Sequence, residues 1–253
     1  MGRKGESGHL KRKPAPKIWP IHRKEAVWTV MPKPGPHPLS RSIPLALILR
    51  DMLGLAKTAK EAKNIISQGK IMVDGKVRRD ERFLVGLMDV ISIPDAKQFY
   101  RVLPSGKGLF LHSINADEAT FKLCRVENKT TIKDKNIRLD LHDGASYLLA
   151  DDSSVTAQED VYTTLDVLEL SVPNREFIEH VKLAVGAPAI VIGGKNIGKF
   201  GKITDLEKKS DKKRRGLLVT LEDVKGNQFQ TILNFVFVLG DIEPTIKLPG
   251  VEH

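Results

Sequence analysis

Three groups of residues have types and spacings that chemistry uses. Gly193, Gly198 and Lys199 stand at the intervals of a nucleotide-phosphate loop, in which glycines bare backbone amides and a lysine reaches the phosphates. Such a loop also needs a hydroxyl after the lysine to hold magnesium, and a helix behind it. Here Phe200 takes the place of the hydroxyl, and Gly201, Ile203 and Thr204 follow where the helix would begin. Nucleotide hydrolysis is excluded on both counts. The second group is the seven histidines, His9, His22, His37, His112, His142, His180 and His253, none at ligand spacing from the single cysteine, Cys124. One thiol can build neither a structural zinc site nor an internal disulfide, so no metal and no cofactor are expected, and a reducing cytoplasm suits the chain.

The third group carries fixed positive charge. Lys and Arg number 41 against 31 acids, for a formal charge of +10 over 253 residues. That surplus favours a polyanionic partner. The charge is also segregated. Residues 1–24 hold Arg3, Lys4, Lys11, Arg12, Lys13, Lys17, Arg23 and Lys24 against Glu6 alone. Residues 195–215 hold Lys195, Lys199, Lys202, Lys208, Lys209, Lys212, Lys213, Arg214 and Arg215 against Asp205, Glu207 and Asp211. Between Arg138 and Arg175 there is no Lys or Arg; Asp140, Asp143, Asp151, Asp152, Glu159, Asp160, Asp166 and Glu169 lie there instead. Basic ends on a polyanion and an acidic middle turned away from it would explain this separation. No segment approaches the ~18 apolar residues of a membrane helix. The charged N-terminus has no apolar run behind it, so no secretory signal is expected; no membrane and no small-molecule substrate are expected as partners.

The elements that must position these charges fall into four pieces. Residues 1–41 read as a basic arm, ordered mainly by a partner, because the prolines at 32, 34, 36 and 38 forbid a helix. Trp19 and Trp28 there supply flat faces for bases or for packing, with packing favoured for Trp28 because residues 25–28 suit a helical turn. Residues 42–94 read as a small α/β module. A helix runs from behind Ser42 to Gly54, and a second opens at Thr58 with Glu61 three residues on, a capping box. Ala59, Ala62, Ile65 and Ile66 form its buried stripe and Gly69 ends it. A strand at 71–73 then meets the hairpin turn Asp74-Gly75, and a strand at 90–93 closes the module. Residues 95–175 alternate at 110–114, 121–126, 137–141, 147–149 and 167–172, which predicts a central antiparallel β domain. Residues 176–253 predict further strands at 189–192, 217–221 and 229–239 around a glycine-basic loop.

Helix, capped helix and a Val-Asp-Gly-Lys hairpin resemble the S-four-type RNA-binding domain. That resemblance implies RNA contact from Lys57, Thr58, Lys60, Lys63 and Lys70, with Lys76, Arg78 and Arg79 from the hairpin. The strand, glycine-basic loop and strand around Lys195, Asn196, Gly198, Lys199 and Lys202 resemble the KOW motif of a small RNA-binding β-barrel. Arg138-Leu139-Asp140 matches a tripeptide of pseudouridine synthases, although Ile137 stands where they carry Gly or His. An RNA-modifying enzyme is therefore the alternative reading.

The whole chain resembles the e-type ribosomal protein S-four family of archaea and eukaryotes. His9-Leu10-Lys11-Arg12, Ala15-Pro16, Trp19-Pro20-Ile21, Arg23-Lys24, Trp28 and Pro34-Gly35-Pro36-His37 carry the likeness at one end. The loop at 193–199 and residues 234–240 carry it at the other. The resemblance implies an α+β multidomain fold. It implies a non-enzymatic constituent of the cytoplasmic small ribosomal subunit, bound to its RNA and to neighbouring ribosomal proteins. It also implies RNA contacts from the arm residues named above, Trp19 and His22 included. The lack of a long eukaryotic C-terminal extension points to an archaeal source. Relatives often carry Arg where this chain has Lys195 and Lys199, which lack the bidentate fork.

Overall fold

A computed structural model describes residues 8–132, 136–149, 161–206 and 217–248. Arg3, Lys4, Asp151, Asp152, Glu159, Asp160 and most of the second basic cluster, from Lys208 to Arg215, lie outside the described residues. The chain divides into two compact units, Met1–Val102 with Lys107–Ser113, and Leu103–Gly106 with Ile114–His253.

In the first unit, β1 (Leu10–Lys11) pairs antiparallel with β2 (Trp28–Thr29). A strand thus stands where residues 25–28 suggested a helical turn. The chain continues through β3 (Ser42–Pro44), α1 (Leu45–Leu47) and a π-helical turn, Ile48–Met52. Ser42 does not cap this helix. It belongs to β3, which pairs with β6, and Pro44 is the capping residue with φ −62°. The physical reason is local: a proline disfavours helical backbone in the residue before it and suits a helix entry itself.

Helix α2 (Ala59–Ser67) begins as the sequence predicts. Thr58 Oγ1 accepts from the Glu61 amide at 3.2 Å, while Glu61 Oε2 accepts from the amides of Thr58 at 3.4 Å and Lys57 at 2.8 Å. Ala62 and Ile66 are buried and Ile65 half-buried, but Ala59 is exposed, so the stripe starts one turn later than expected. β4 (Met72–Val73) and β5 (Lys76–Val77) form the hairpin, with φ of 49° at Asp74 and 66° at Gly75 as its two-residue turn requires. Then come β6 (Leu84–Gly86), β7 (Val90–Ile93), β8 (Gln98–Ser105) and β9 (Gly108–Ile114). The main sheet has the order β5-β4-β7-β8-β9.

The core of this unit joins Leu45, Leu47, Leu49, Ile66, Ile71, Val85 and Ile91 to Ala15 and Trp19 of the arm. The described part of the arm is therefore packed by its own protein. His37 reinforces this: its Nε2 lies 3.0 Å from both carboxylate oxygens of Asp89, and both side chains are buried.

The second unit is β-rich. β10 (Phe121–Thr131), β11 (Ile137–Leu141), β12 (Ser146–Leu149), β13 (Val167–Ser171) and β14 (Phe177–Val181) make one antiparallel sheet in the order β12-β11-β10-β13-β14. Cys124, Val126, Leu139, Leu168 and Leu170 form its core. β15 (Pro188–Val191), β16 (Phe200–Leu206), β17 (Leu218–Glu222), β18 (Gln228–Ile232) and β19 (Val236–Val238) make another, in the order β18-β17-β16-β15-β19. Arg125 is buried in β10 and donates to the carbonyls of Asn234 at 3.0 Å and Val236 at 2.9 Å, tying the two sheets.

Candidate nucleic-acid interface

The arm's cations divide by what they touch. Arg12 is buried, and its guanidinium donates to the carbonyls of Trp28 at 3.2 Å and His22 at 2.8 Å and to Glu25 at 3.0 Å. Arg23 donates to the carbonyls of Arg12 at 2.7 Å, Ala15 at 2.6 Å and Pro16 at 2.7 Å. Both are staples for a segment with little regular structure of its own, because they satisfy carbonyls that no strand or helix would pair. Lys11, Lys13, Lys17, His22 and Lys24 are exposed. Trp19 is 3% exposed and its Nε1 donates to the Ser42 carbonyl at 2.7 Å, whereas Trp28 is 55% exposed. The expectation for the two rings is thus reversed. Trp19 carries the packing and its faces are covered.

Lys57, just before the cap, and Lys60 and Lys63 on α2 are all exposed. The Lys57 amide foremost holds the Glu61 carboxyl below its ordinary range, and desolvation opposes it. Lys63 and Arg79 line one open cleft of about 510 Å³, together with Lys33, Ser67, Asp80, Glu81 and Arg82. Lys33 and Arg82 were not singled out from the sequence. Lys33 comes from the proline stretch and Arg82 from the turn before β6, so only the fold unites them with α2. The acids at this cleft are partly matched, Asp80 by Lys33 at 2.6 Å and Glu81 by Lys63 at 3.8 Å. Lys70 lies 3.8 Å from Asp95, and Lys76 is exposed on β5. Arg78 stacks on its own protein, its guanidinium carbon 4.2 Å from the Phe83 ring centroid.

In the second unit, the loop between β15 and β16 is built by internal contacts. A Cβ on Gly193 would lie 2.7 Å from the Phe235 ring, and one on Gly198, whose φ is +82°, would lie 2.8 Å from the Ser105 backbone. These glycines therefore serve the loop's own packing. Asn196 Nδ2 donates to the Gln230 carbonyl at 3.1 Å, and Lys199 Nζ lies 5.1 Å from the Phe229 ring centroid. Lys195 and Lys202 are exposed, and Phe200 opens strand β16 where a nucleotide loop would need a helix.

The acidic middle is corrected most. Asp143 is buried between Lys122 at 3.3 Å and Arg175 at 3.0 Å. Burial alone would push its carboxyl up, but Lys122, His142 and Arg175 together hold it below its ordinary value. Asp166 is buried as well. Burial pushes it up, while hydrogen bonds from His180, from the hydroxyl and amide of Thr163 and from the Leu183 amide bring it down on balance. Glu169 is buried too. Asp140 points outward from β11, accepting from Ser146 at 2.9 Å and pairing with Arg138 at 3.0 Å. Among the described residues its partners are those of an ordinary strand residue.

Comparison with known proteins agrees with this geometry. The RS4NT (NUC023) domain matches residues 4–40, the S4 domain residues 44–91 and Ribosomal family S4e residues 96–177. Small ribosomal subunit protein eS4 of Desulfurococcus amylolyticus is 50% identical over 250 residues, covering 98% of each chain. Its counterpart in Methanocaldococcus jannaschii is 46% identical over 251 residues, covering 98% of this chain and 100% of the relative. The crystal structure of the 30S ribosomal protein S4e from Thermoplasma acidophilum superimposes with a TM-score of 0.64 at 32% identity, covering 79% of this chain and 96% of that one. A basic arm packed on an S4 domain and followed by β sheets, in a chain whose relatives are named as small ribosomal subunit proteins, defines the ribosomal-protein class, which is non-enzymatic. The chain belongs to the ribosomal protein family S4e.

Proposed function

We propose that this structural constituent of the small ribosomal subunit is held there by charge neutralisation of ribosomal RNA from several separated cationic surfaces, in the cytoplasm and beside neighbouring ribosomal proteins. The first surface is the set of exposed arm lysines, Lys11, Lys13, Lys17 and Lys24, with His22 beside them. The second surrounds α2, where Lys57, Lys60, Lys63, Lys70, Lys76 and Arg79 are joined by Lys33 and Arg82. The third is the loop carrying Lys195, Lys199 and Lys202, for which we retain the reading of a KOW-type barrel. The single observation that carries the proposal is the cleft where Lys33, Lys63, Arg79 and Arg82 converge from three parts of the sequence. Asp80 and Glu81 line it too and face Lys33 and Lys63, so four cations against two acids leave a net positive charge that a phosphate would match. Contacts of this kind read phosphate and the shape of folded RNA, whose base edges are mostly hidden. The three surfaces then act as linked sites, each raising the effective concentration of the next on the same RNA.

Affinity for protein-free small-subunit RNA tests the mechanism. If about six to ten phosphates are neutralised, binding weakens by roughly 10³–10⁵ between 50 and 200 mM salt. A binding constant indifferent to salt would rule the mechanism out.

A further inference from the structure

We propose that Trp28 is the stacking platform for one unpaired base of the ribosomal RNA, received in a cleft between the β1–β2 pair and the start of α2. The proposal rests on the RNA-binding reading above and deepens it, since charge neutralisation needs no aromatic ring.

Trp28 keeps 55% of its surface open although it lies in a paired strand. The strand fixes where the ring stands. Lys11 is its register partner, and its carbonyl accepts from the Arg12 guanidinium at 3.2 Å. One flank of the ring is set by His9, at 5.6 Å and 53°, and Lys11 Nζ lies 5.9 Å from the ring. The adjoining cleft measures about 290 Å³, and Trp28, Thr29, Met31, Arg50, Arg82 and one acid, Glu81, line it; Glu81 lies 3.8 Å from Lys63. That is room for a base and part of its sugar, and too little for a duplex. Arg50 is held stiffly by two bonds to Asp51, at 2.7 and 2.8 Å. An exposed flat apolar face with cations around it matches a nucleotide. The base offers a π face to the indole, and the phosphate offers charge to Lys11 and Arg82. An apolar peptide would leave those cations unmatched. Bases become available to proteins where RNA loops and bulges splay them out of the stack.

Full-length protein titrated with protein-free small-subunit RNA decides the matter, read by filter binding and tryptophan emission. Trp28→Leu keeps an apolar side chain and removes the ring; Trp28→Phe keeps a smaller ring. Loss of one base–aromatic stack is expected to weaken binding by about 5- to 100-fold in Trp28→Leu, with an unchanged salt slope, and Phe should recover most of it. Wild-type emission should be quenched by RNA, while the Trp19 emission remaining in Trp28→Phe should not move. Equal affinity of Trp28→Leu and wild type would overturn the proposal. Emission that changes only when other small-subunit proteins are added would also overturn it, and would assign the ring to a protein neighbour. A wild type that does not bind the RNA at all would instead overturn the RNA-binding reading itself.

Discussion

Two adjacent cations, Arg23 and Lys24, illustrate how residues of one charge take different work. The Arg23 fork binds three carbonyls of the arm, and Lys24 is exposed. Arg23→Ala strips charged donors from partly buried acceptors and is expected to cost about 2 kcal/mol in urea unfolding. Lys24→Ala should stay within about 0.5 kcal/mol of wild type, as exposed substitutions do. Equal unfolding midpoints for the two variants would mean that Arg23 is no staple. The sequence ranks both alike, because sign and spacing say nothing of whether a guanidinium is already engaged. The same limit explains the tryptophans. Both are flanked by cations, but only Trp19 finds a carbonyl for its N–H inside the core.

Among the elements, α2 is the one whose beginning joins the proposed RNA contact to stability. Lys57 and Lys60 set positive charge beside a helix N-terminus, an arrangement that disfavours the helix. The capping box offsets it by satisfying amides that would otherwise have no partner. Thr58→Ala should lower stability by about 1 kcal/mol in thermal or urea melts, within the usual range for a lost cap. An unchanged melt would show that the cap adds nothing here. This element was legible because a capping box is made within four residues and needs no distant partner. Three elements were less so. Ser42 has the chemistry of a cap, yet Pro44 and the pairing with β6 make it a strand residue. β8 hides behind Pro104, a residue that strands usually exclude, and β14 carries Phe177 and Ile178 on exposed positions, which breaks the expected alternation.

At the scale of the whole molecule, the buried acids make the second unit sensitive to acid. Asp143 and Asp166 both have folded-state values below the ordinary 3.8. A depressed carboxyl contributes stability above its unfolded value and loses it as pH falls through the folded one. Stability arising from these groups should therefore be constant from neutrality down to about that ordinary value and decline below it. The double variant Asp143→Asn, Asp166→Asn should be less stable at neutral pH and show a shallower acid decline, measured by urea unfolding across the pH range. A decline as steep as that of wild type would remove these two groups from the account. The salt response proposed for RNA binding has a different origin, in exposed cations.

The amino-acid sequence by itself determined what depends on near neighbours: the capped helix, the hairpin turn at Asp74-Gly75, the alternating strands and the excess of positive charge. The family likeness was also legible there, since motifs at both ends span nearly the whole chain. Only the tertiary structure decided which charges are spent within the protein and which face outward. Arg12, Arg23, Asp143 and Asp166 look like surface charge in the sequence and are internal fasteners in the fold. Lys33 and Arg82 look unrelated and line one cleft. The reason is physical. A side chain's availability depends on burial and on partners brought from far along the chain, and neither leaves a periodic trace near the residue itself.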